Sequence, residues 1–292
     1  MKRIGYSSLA FALVVPVGLI ASSLAIAANG RDCLPPVHTP VVNGVVIVPR
    51  IWNDFPASNL SFFDGYPGQI WIRDSDPIGL GGYANLHTWS FSEDGGVTPA
   101  VFENCSGYRF HATLVLKSSP GTIDGPAEAG LRLSPSWWSD IDGKFMVRAD
   151  WPSGNGEIAC FGGRFPYFNF TVAYGIWYEN DQPVDMEIVY NPHSLTAGDP
   201  ATITFNLTYK GSAYSSGPLP FDEGNPSEDP PSGLWGEQYR SHAGGYFQAP
   251  CHDSGRIAGA YDWIATWSDL GYNDSPTPAR PPTWGQLKTL YR

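Results

Sequence analysis

Apolar and polar residues alternate one for one along segment after segment of this chain, and nothing recurs at helical spacing before its C-terminal end. From Tyr108 to Lys117, Tyr108, Phe110, Ala112, Leu114 and Leu116 fall on one side, with Arg109, His111, Thr113 and Lys117 on the other. From Ala201 to Lys210 the apolar half is Ala201, Ile203, Phe205, Leu207 and Tyr209, facing away from Thr202, Thr204, Asn206, Thr208 and Lys210. A period of two is the signature of a strand with one buried face. Val184–Ile188 reads the same way and puts Asp185 and Glu187 on one strand face. Further strands are expected at 68–74, 84–92, 129–134, 143–150, 156–162, 167–178, 211–218, 244–249 and 261–268.

Turn formers punctuate these segments: Glu93-Asp94-Gly95-Gly96, Asp142-Gly143, Ser153-Gly154-Asn155-Gly156 and Ala197-Gly198-Asp199-Pro200. Asn43-Gly44 between Val41-Val42 and Val45–Val48 predicts a hairpin with a type I′ turn. With 33 Gly, 27 Pro and 14% aromatic residues, the chain suits many short strands packed as two antiparallel sheets. The expected fold is all-β, a two-sheet jelly-roll sandwich in a single domain over 28–272.

Both ends differ from this core. Met1-Lys2-Arg3 is a basic start, Leu9–Leu24 is apolar or small, and Ala25-Ile26-Ala27 is a small-residue cleavage signal. Residues 1–27 therefore read as a secretory signal peptide, too short and too interrupted by Pro16 and Gly18 for a spanning helix of roughly 20 apolar residues. The expected location is secreted or extracytoplasmic: periplasm, cell surface or medium. Segment 221–233 is a long acidic, Pro-rich loop. Residues 273–282 read as a Pro-rich linker, and 283–292 as a short tail with Leu287, Leu290 and Tyr291 on one helical face.

The formal charge is −11, and loss of Lys2 and Arg3 makes it two units more negative. Such a chain has no electrostatic footprint for nucleic acid. The four cysteines, Cys33, Cys105, Cys160 and Cys251, are even in number and show no metal-binding spacing. In an exported chain this predicts disulfides, with Cys33–Cys251 and Cys105–Cys160 favoured among three pairings. Sequons stand at Asn59, Asn104, Asn169, Asn206 and Asn273.

Three groups of segments resemble a concanavalin A-like lectin/glucanase sandwich of the laminin G-like kind. Asn85–Gly96 looks like an early strand leading into a Gly-rich turn. Glu128–Leu133, Lys144–Arg148 and Gly156–Gly163 look like central strands. Gly244–Gln248 and Tyr261–Trp267 look like closing strands. The resemblance spans roughly residues 50–270 and implies a glycan or protein binder, or an enzyme that cleaves polysaccharide.

Glycoside hydrolysis needs two carboxylates astride the bond. The E-x-D-x-E run of the superfamily's glucanases is absent, and Asp185-Met186-Glu187 is the nearest approach. Side chains two apart on a strand stand roughly 7 Å from each other, so a partner strand would have to supply Glu157. Elimination on an acidic polysaccharide would use an Arg, a Gln or His, and a Tyr. Arg109 and His111 share one strand face, and Tyr246 and Gln248 share another. Sugar binding would use aromatic faces near loops: Trp137, Trp138, Trp151, Trp177 and Trp235. Trp89, Trp263 and Trp267 lie in alternating strands and are expected in the core. No organic cofactor is implied. Calcium is the ion that the turn carboxylates Asp140, Asp142, Asp222, Glu223 and Asp229 would take. The six histidines show no transition-metal spacing.

The sequence thus reads as an extracellular, non-catalytic, lectin-like or adhesive sandwich whose partner is a glycan or a cell surface. A polysaccharide hydrolase or lyase on the same fold is the first alternative, and a structural envelope component docked through its tail is the second.

Overall fold

The computed structural model describes residues 40–76, 84–103, 106–118, 126–135, 143–149, 155–162, 166–193, 199–220, 240–251 and 261–274. The leader at 1–27, the acidic loop and the tail at 283–292 lie outside the described residues. In chain order the strands begin with β1 (Gly44–Asn53), β2 (Asn59–Gly65), β3 (Gln69–Asp76), β4 (Ala84–Ser92), β5 (Phe102–Glu103) and β6 (Tyr108–Ser118). Next come β7 (Ala127–Pro135), β8 (Lys144–Ala149), β9 (Asn155–Gly156), β10 (Ile158–Phe161) and β11 (Phe168–Asn169). A five-residue helix α1 (Phe170–Tyr174) precedes β12 (Tyr178–Glu179), β13 (Val184–Asn191), β14 (Thr202–Tyr209), β15 (Ser212–Ser215), β16 (Leu219–Pro220), β17 (Arg240–Cys251) and β18 (Tyr261–Asp274).

Two antiparallel eight-stranded sheets result. The first runs β1-β4-β17-β7-β8-β10-β11 with β5 beside β17; the second runs β15-β14-β13-β6-β18-β3-β2 with β16 beside β14. Neighbours in space are mostly distant in sequence, which makes this a jelly-roll β-sandwich, as the alternation predicts. Among the described residues no helix is long and apolar enough to cross a membrane.

The core lies where the inner halves of the alternating strands meet. Tyr108, Phe110, Ala112, Leu114 and Leu116 of β6 are all buried, as are Ile203, Phe205, Leu207 and Tyr209 of β14. Trp89, Trp263 and Trp267 are fully buried, and Trp89 meets Trp267 across the sheets edge to face at 5.9 Å. Truncating any of these indoles would cost about 3–5 kcal/mol.

A polar pin crosses the same interior. Asp74 on β3 faces Asn85 and His87 on β4, and all three are fully buried. Asn85 Nδ2 donates to Asp74 Oδ2 at 2.7 Å and to Ser58 Oγ at 2.9 Å, while its Oδ1 accepts the Phe55 N–H at 2.9 Å. His87 Nδ1 accepts the Arg50 N–H at 3.0 Å, which places the ring proton on Nε2, 3.1 Å from Asp74 Oδ2. Arg50, with a left-handed φ of 56°, donates from its guanidinium to Phe55 O and Ser58 O and ties the β1–β2 connection to the pin.

The structure departs from the sequence expectations in four places. The Asn43-Gly44 hairpin is not formed. Instead β1 starts at Gly44 and pairs with β4, while the Asn43 side chain accepts the Gly95 N–H and Val41 is exposed. The strand expected at 167–178 is broken by α1, because Asn169 caps its start by accepting the Val172 N–H and Gly175 closes it in the left-handed conformation. Strand β18 runs to Asp274, two residues into the expected linker. Cys160 is buried with a free thiol, so the Cys105–Cys160 bridge is not made. Burial also pushes that thiol's pKa well up and leaves it unreactive. Cys33, Cys105 and the side chain of Cys251 lie outside the described residues.

Tyr178 supports a stretch of β6 that has no strand on one side. Strand β13 pairs with β6 only as far as Leu114, and beyond it the Tyr178 hydroxyl accepts the Leu116 N–H at 2.7 Å and donates to Leu116 O at 3.0 Å. The turn after β4 is organised by Asp94, which accepts from Ser92 Oγ, Thr98 Oγ1 and the N–H groups of Val97 and Thr98.

Two outcomes are expected. Replacing Asp74 by alanine leaves the buried His87 Nε2–H unpaired, while the Asn85 amide keeps Phe55 O and Ser58 Oγ, and lowers the urea-unfolding free energy by about 3 kcal/mol; a loss below about 1 kcal/mol would show the pin to be energetically idle. The bonds to Asp94 hold its pKa well below the usual carboxylate range, the Ser92 hydroxyl contributing most. Its share of stability is complete above the unfolded value of about 3.9 and vanishes as pH falls through the depressed folded value. The Asp94→Asn protein should therefore show a shallower loss of stability at acid pH than the parent.

Candidate functional site

The outer face of the first sheet carries charge where solvent does not reach. Glu128 is 4% exposed, Arg132 3%, Lys144 6%, Gln248 1% and Tyr246 0%. Alternation puts them there: with Leu131, Phe145 and Phe247 turned inward, Arg132, Lys144, Tyr246 and Gln248 must turn outward. Register arranges them in rows. Ser90, Gly244, Arg132, Lys144 and Phe161 lie across five adjacent strands; the next row is Thr88, Tyr246, Gly130, Met146 and Ala159. The third is Leu86, Gln248, Glu128 and Arg148.

Two bare positions shape this face. At Gly244 a Cβ would stand 2.1 Å from Trp89 O, and at Gly130 it would stand 1.9 Å from Phe145 O. Strands β4, β17, β7 and β8 can close up there only because both residues are glycine. Past Gly244, Arg132 reaches Ser90 Oγ at 2.8 Å. Past Gly130, Lys144 Nζ donates to Glu128 Oε1 at 2.8 Å and to Gln248 Oε1 at 3.5 Å. The same ammonium stands 5.0 Å from the Tyr246 ring centre and 5.2 Å from that of Phe161. Removing charge from water is expensive unless it is paired, and the Lys144–Glu128 pair meets that condition here.

The second sheet has an outer face of a different kind, with an open cleft of about 470 Å³. His111, Thr113, Asp185, Glu187, Asn206, Thr208, Ser215 and Asp269 are among the residues that line it. Here the sequence-predicted Asp185, Glu187, His111 and Arg109 do come together. Asp185 accepts from Thr113 Oγ1 at 2.6 Å, Glu187 accepts from Asn206 Nδ2 at 2.9 Å, and Arg109 Nη1 stands 4.0 Å from Glu187.

Glu157 does not join them. It precedes β10 in the first sheet and is bonded to the Asn169 side chain, so it cannot complete a carboxylate pair with Asp185 or Glu187 across a sugar bond. Trp177 is 53% exposed. Trp137, Trp138, Trp151, Trp235, Asp140, Asp142, Asp222, Glu223 and Asp229 lie outside the described residues. Among the described residues no group of three or more His, Cys, Asp or Glu is placed to hold a metal ion.

Arg132, Lys144 and Glu128 are the residues that sequence reading passed over. The signal was present: each is a charged residue out of phase with a core-facing half-strand, in the segments that flank Gly130. Tyr246 and Gln248 had been paired on one face, and the missing step was the register that lays that face against β7 and β8.

No protein-family model matches the chain, and no curated protein matches it. Among solved structures it is similar to an alginate lyase from Pseudomonas aeruginosa, at 13% identity over 73% of this chain and 86% of that one, with a TM-score of 0.39. It is similar to the marine alginate lyase AlyA1 from Zobellia galactanivorans at 12% identity, 80% and 96% coverage and a TM-score of 0.39. It is also similar to lectin II from Ulex europaeus at 11% identity, 81% and 96% coverage and a TM-score of 0.38.

The Lys144–Glu128 pair generates a sharp expectation. Glu128→Gln strands a buried ammonium and costs about 3 kcal/mol in urea unfolding, whereas Glu128→Leu combined with Lys144→Met restores most of that loss. A double variant less stable than the single one would mean that the pair itself holds the sheet together.

Proposed function

We propose that this protein binds an acidic polysaccharide across the outer face of its first sheet. The observation that carries the reading is the buried constellation of Arg132, Lys144, Glu128, Tyr246 and Gln248. A guanidinium, an ammonium and a carboxylate converge there, on a chain whose formal charge is −11. A sugar carboxylate would meet a guanidinium and an ammonium in a site shielded from water, where each ionic contact counts for more than at an exposed surface. The Gln248 amide and the Ser90 and Tyr246 hydroxyls suit the sugar's hydroxyl groups, and the rings of Tyr246 and Phe161 offer apolar faces. Binding has to displace the contacts that now shield the face.

A second reading uses the same residues for elimination. Lys144 beside the Tyr246 ring is the observation that favours it, since a neighbouring cation stabilises a phenolate. In that chemistry Arg132 would neutralise the uronate carboxylate and Tyr246 would take the proton alpha to it. The bond to the leaving sugar oxygen would then break, leaving a carbon–carbon double bond, and the Tyr246 hydroxyl would return its proton to that oxygen.

Retention of the purified protein on immobilised acidic polysaccharides, polygalacturonate and alginate among them, separates these readings. Retention that Arg132→Ala weakens at least tenfold, with the fold intact by circular dichroism, supports the binding site. A rising ultraviolet absorbance from unsaturated product, lost in Tyr246→Phe while retention persists, supports elimination. Binding without any such product identifies a binding module. No retention on any acidic polysaccharide overturns both.

A further inference from the structure

Along β4, alternation turns Trp89 into the core and Thr88 and Ser90 to the outer face of the first sheet. Both hydroxyl residues are removed from solvent, Thr88 at 0% and Ser90 at 1% exposure. Ser90 Oγ receives the Arg132 guanidinium at 2.8 Å. Thr88 Oγ1, one row along the same strand, meets no donor or acceptor among the described residues. Register explains the difference. Thr88 lies between Val48 of β1 and Tyr246 of β17. Val48 has no polar side-chain atom, and the Tyr246 ring stands beside the Lys144 ammonium.

A buried hydroxyl without a partner is costly, and folded chains pair nearly all of theirs. Valine has the shape of threonine and carries no such cost, so packing alone gives no reason for a hydroxyl at this position. Asp74 Oδ1 and Trp89 Nε1 are also unmet, but they belong to the interior between the sheets. Thr88 differs in facing the surface on which Arg132, Lys144, Tyr246 and Gln248 converge.

Its position suits one part of a sugar. Side chains two apart on a strand stand roughly 7 Å from each other, which sets Thr88 at that distance from Ser90, where the Arg132 guanidinium ends. The carboxylate of a uronate ring and the hydroxyls on the far side of the same ring can span such a separation. A threonine hydroxyl both donates and accepts, as a sugar hydroxyl does, so each can complete the other. We infer, resting on the acidic-polysaccharide reading above, that Thr88 is a specificity residue: it hydrogen-bonds a ring hydroxyl of the uronate whose carboxylate Arg132 holds.

The test compares the full chain with its Thr88→Val and Thr88→Ser variants, in urea unfolding and in affinity for polygalacturonate and alginate. Stability and binding should run in opposite orders. Thr88→Val should unfold at a higher urea midpoint than the parent, because the orphaned hydroxyl is gone, yet bind about fivefold more weakly. Thr88→Ser should unfold at a lower midpoint, because it loses a methyl group and keeps the hydroxyl, yet bind within about twofold of the parent. A residue that only supports the sheet would move both properties the same way. If the parent binds and Thr88→Val binds equally well, this inference alone is overturned. A Thr88→Val protein that unfolds at a lower midpoint than the parent also overturns it, by showing that the hydroxyl serves the fold. If no acidic polysaccharide binds the parent, the reading it rests on falls and takes it along.

Discussion

The carboxylate of Asp74 is the point on which the two sheets agree. Hydrophobic contact between sheets is non-directional and would tolerate small slides of one sheet over the other. A fully buried carboxylate held by Asn85 and His87 tolerates none, because any slide strands a buried donor or acceptor. Ser58, Phe55 and Arg50 join the same set of bonds, which positions the β1–β2 connection as well. Once that register is fixed, Trp89 meets Trp267, and the outer rows of both sheets follow from the pairing of their strands.

The two outer faces then diverge in character although alternation produced both. On the first sheet, charged and aromatic side chains lie desolvated around the bare positions of Gly130 and Gly244. On the second, carboxylates, hydroxyls and an imidazole stand around an open cleft. One face is desolvated and holds paired charges, and the other is an open acidic cleft.

Much of this was legible in the chain. The halves of β6 and β14 that alternation assigned to the interior are the halves that are buried, and the three tryptophans expected in the core are there. What could not be read has physical causes. Strand β2 was missed because an exposed edge strand, Asn-Leu-Ser-Phe-Phe-Asp-Gly, has no buried half to impose a period. Helix α1 was missed because its caps, Asn169 and Gly175, sit inside an apolar run that a strand would fit equally well. Arg132, Lys144 and Glu128 were missed because their convergence depends on β17 lying between β4 and β7, and long-range register leaves no mark in local sequence. Asp185, Glu187 and His111 lie together because adjacent strands align residues already singled out on single faces.

Tyr178 bears on a different property. Where β13 ends, β6 still has a backbone N–H and C=O at Leu116 pointing sideways, and the Tyr178 phenol occupies both. An open stretch of strand backbone is a template on which another polypeptide can pair, whatever its sequence. By filling that gap with a side chain, the molecule denies a foothold to intermolecular sheet growth while leaving β6 long enough to line the cleft.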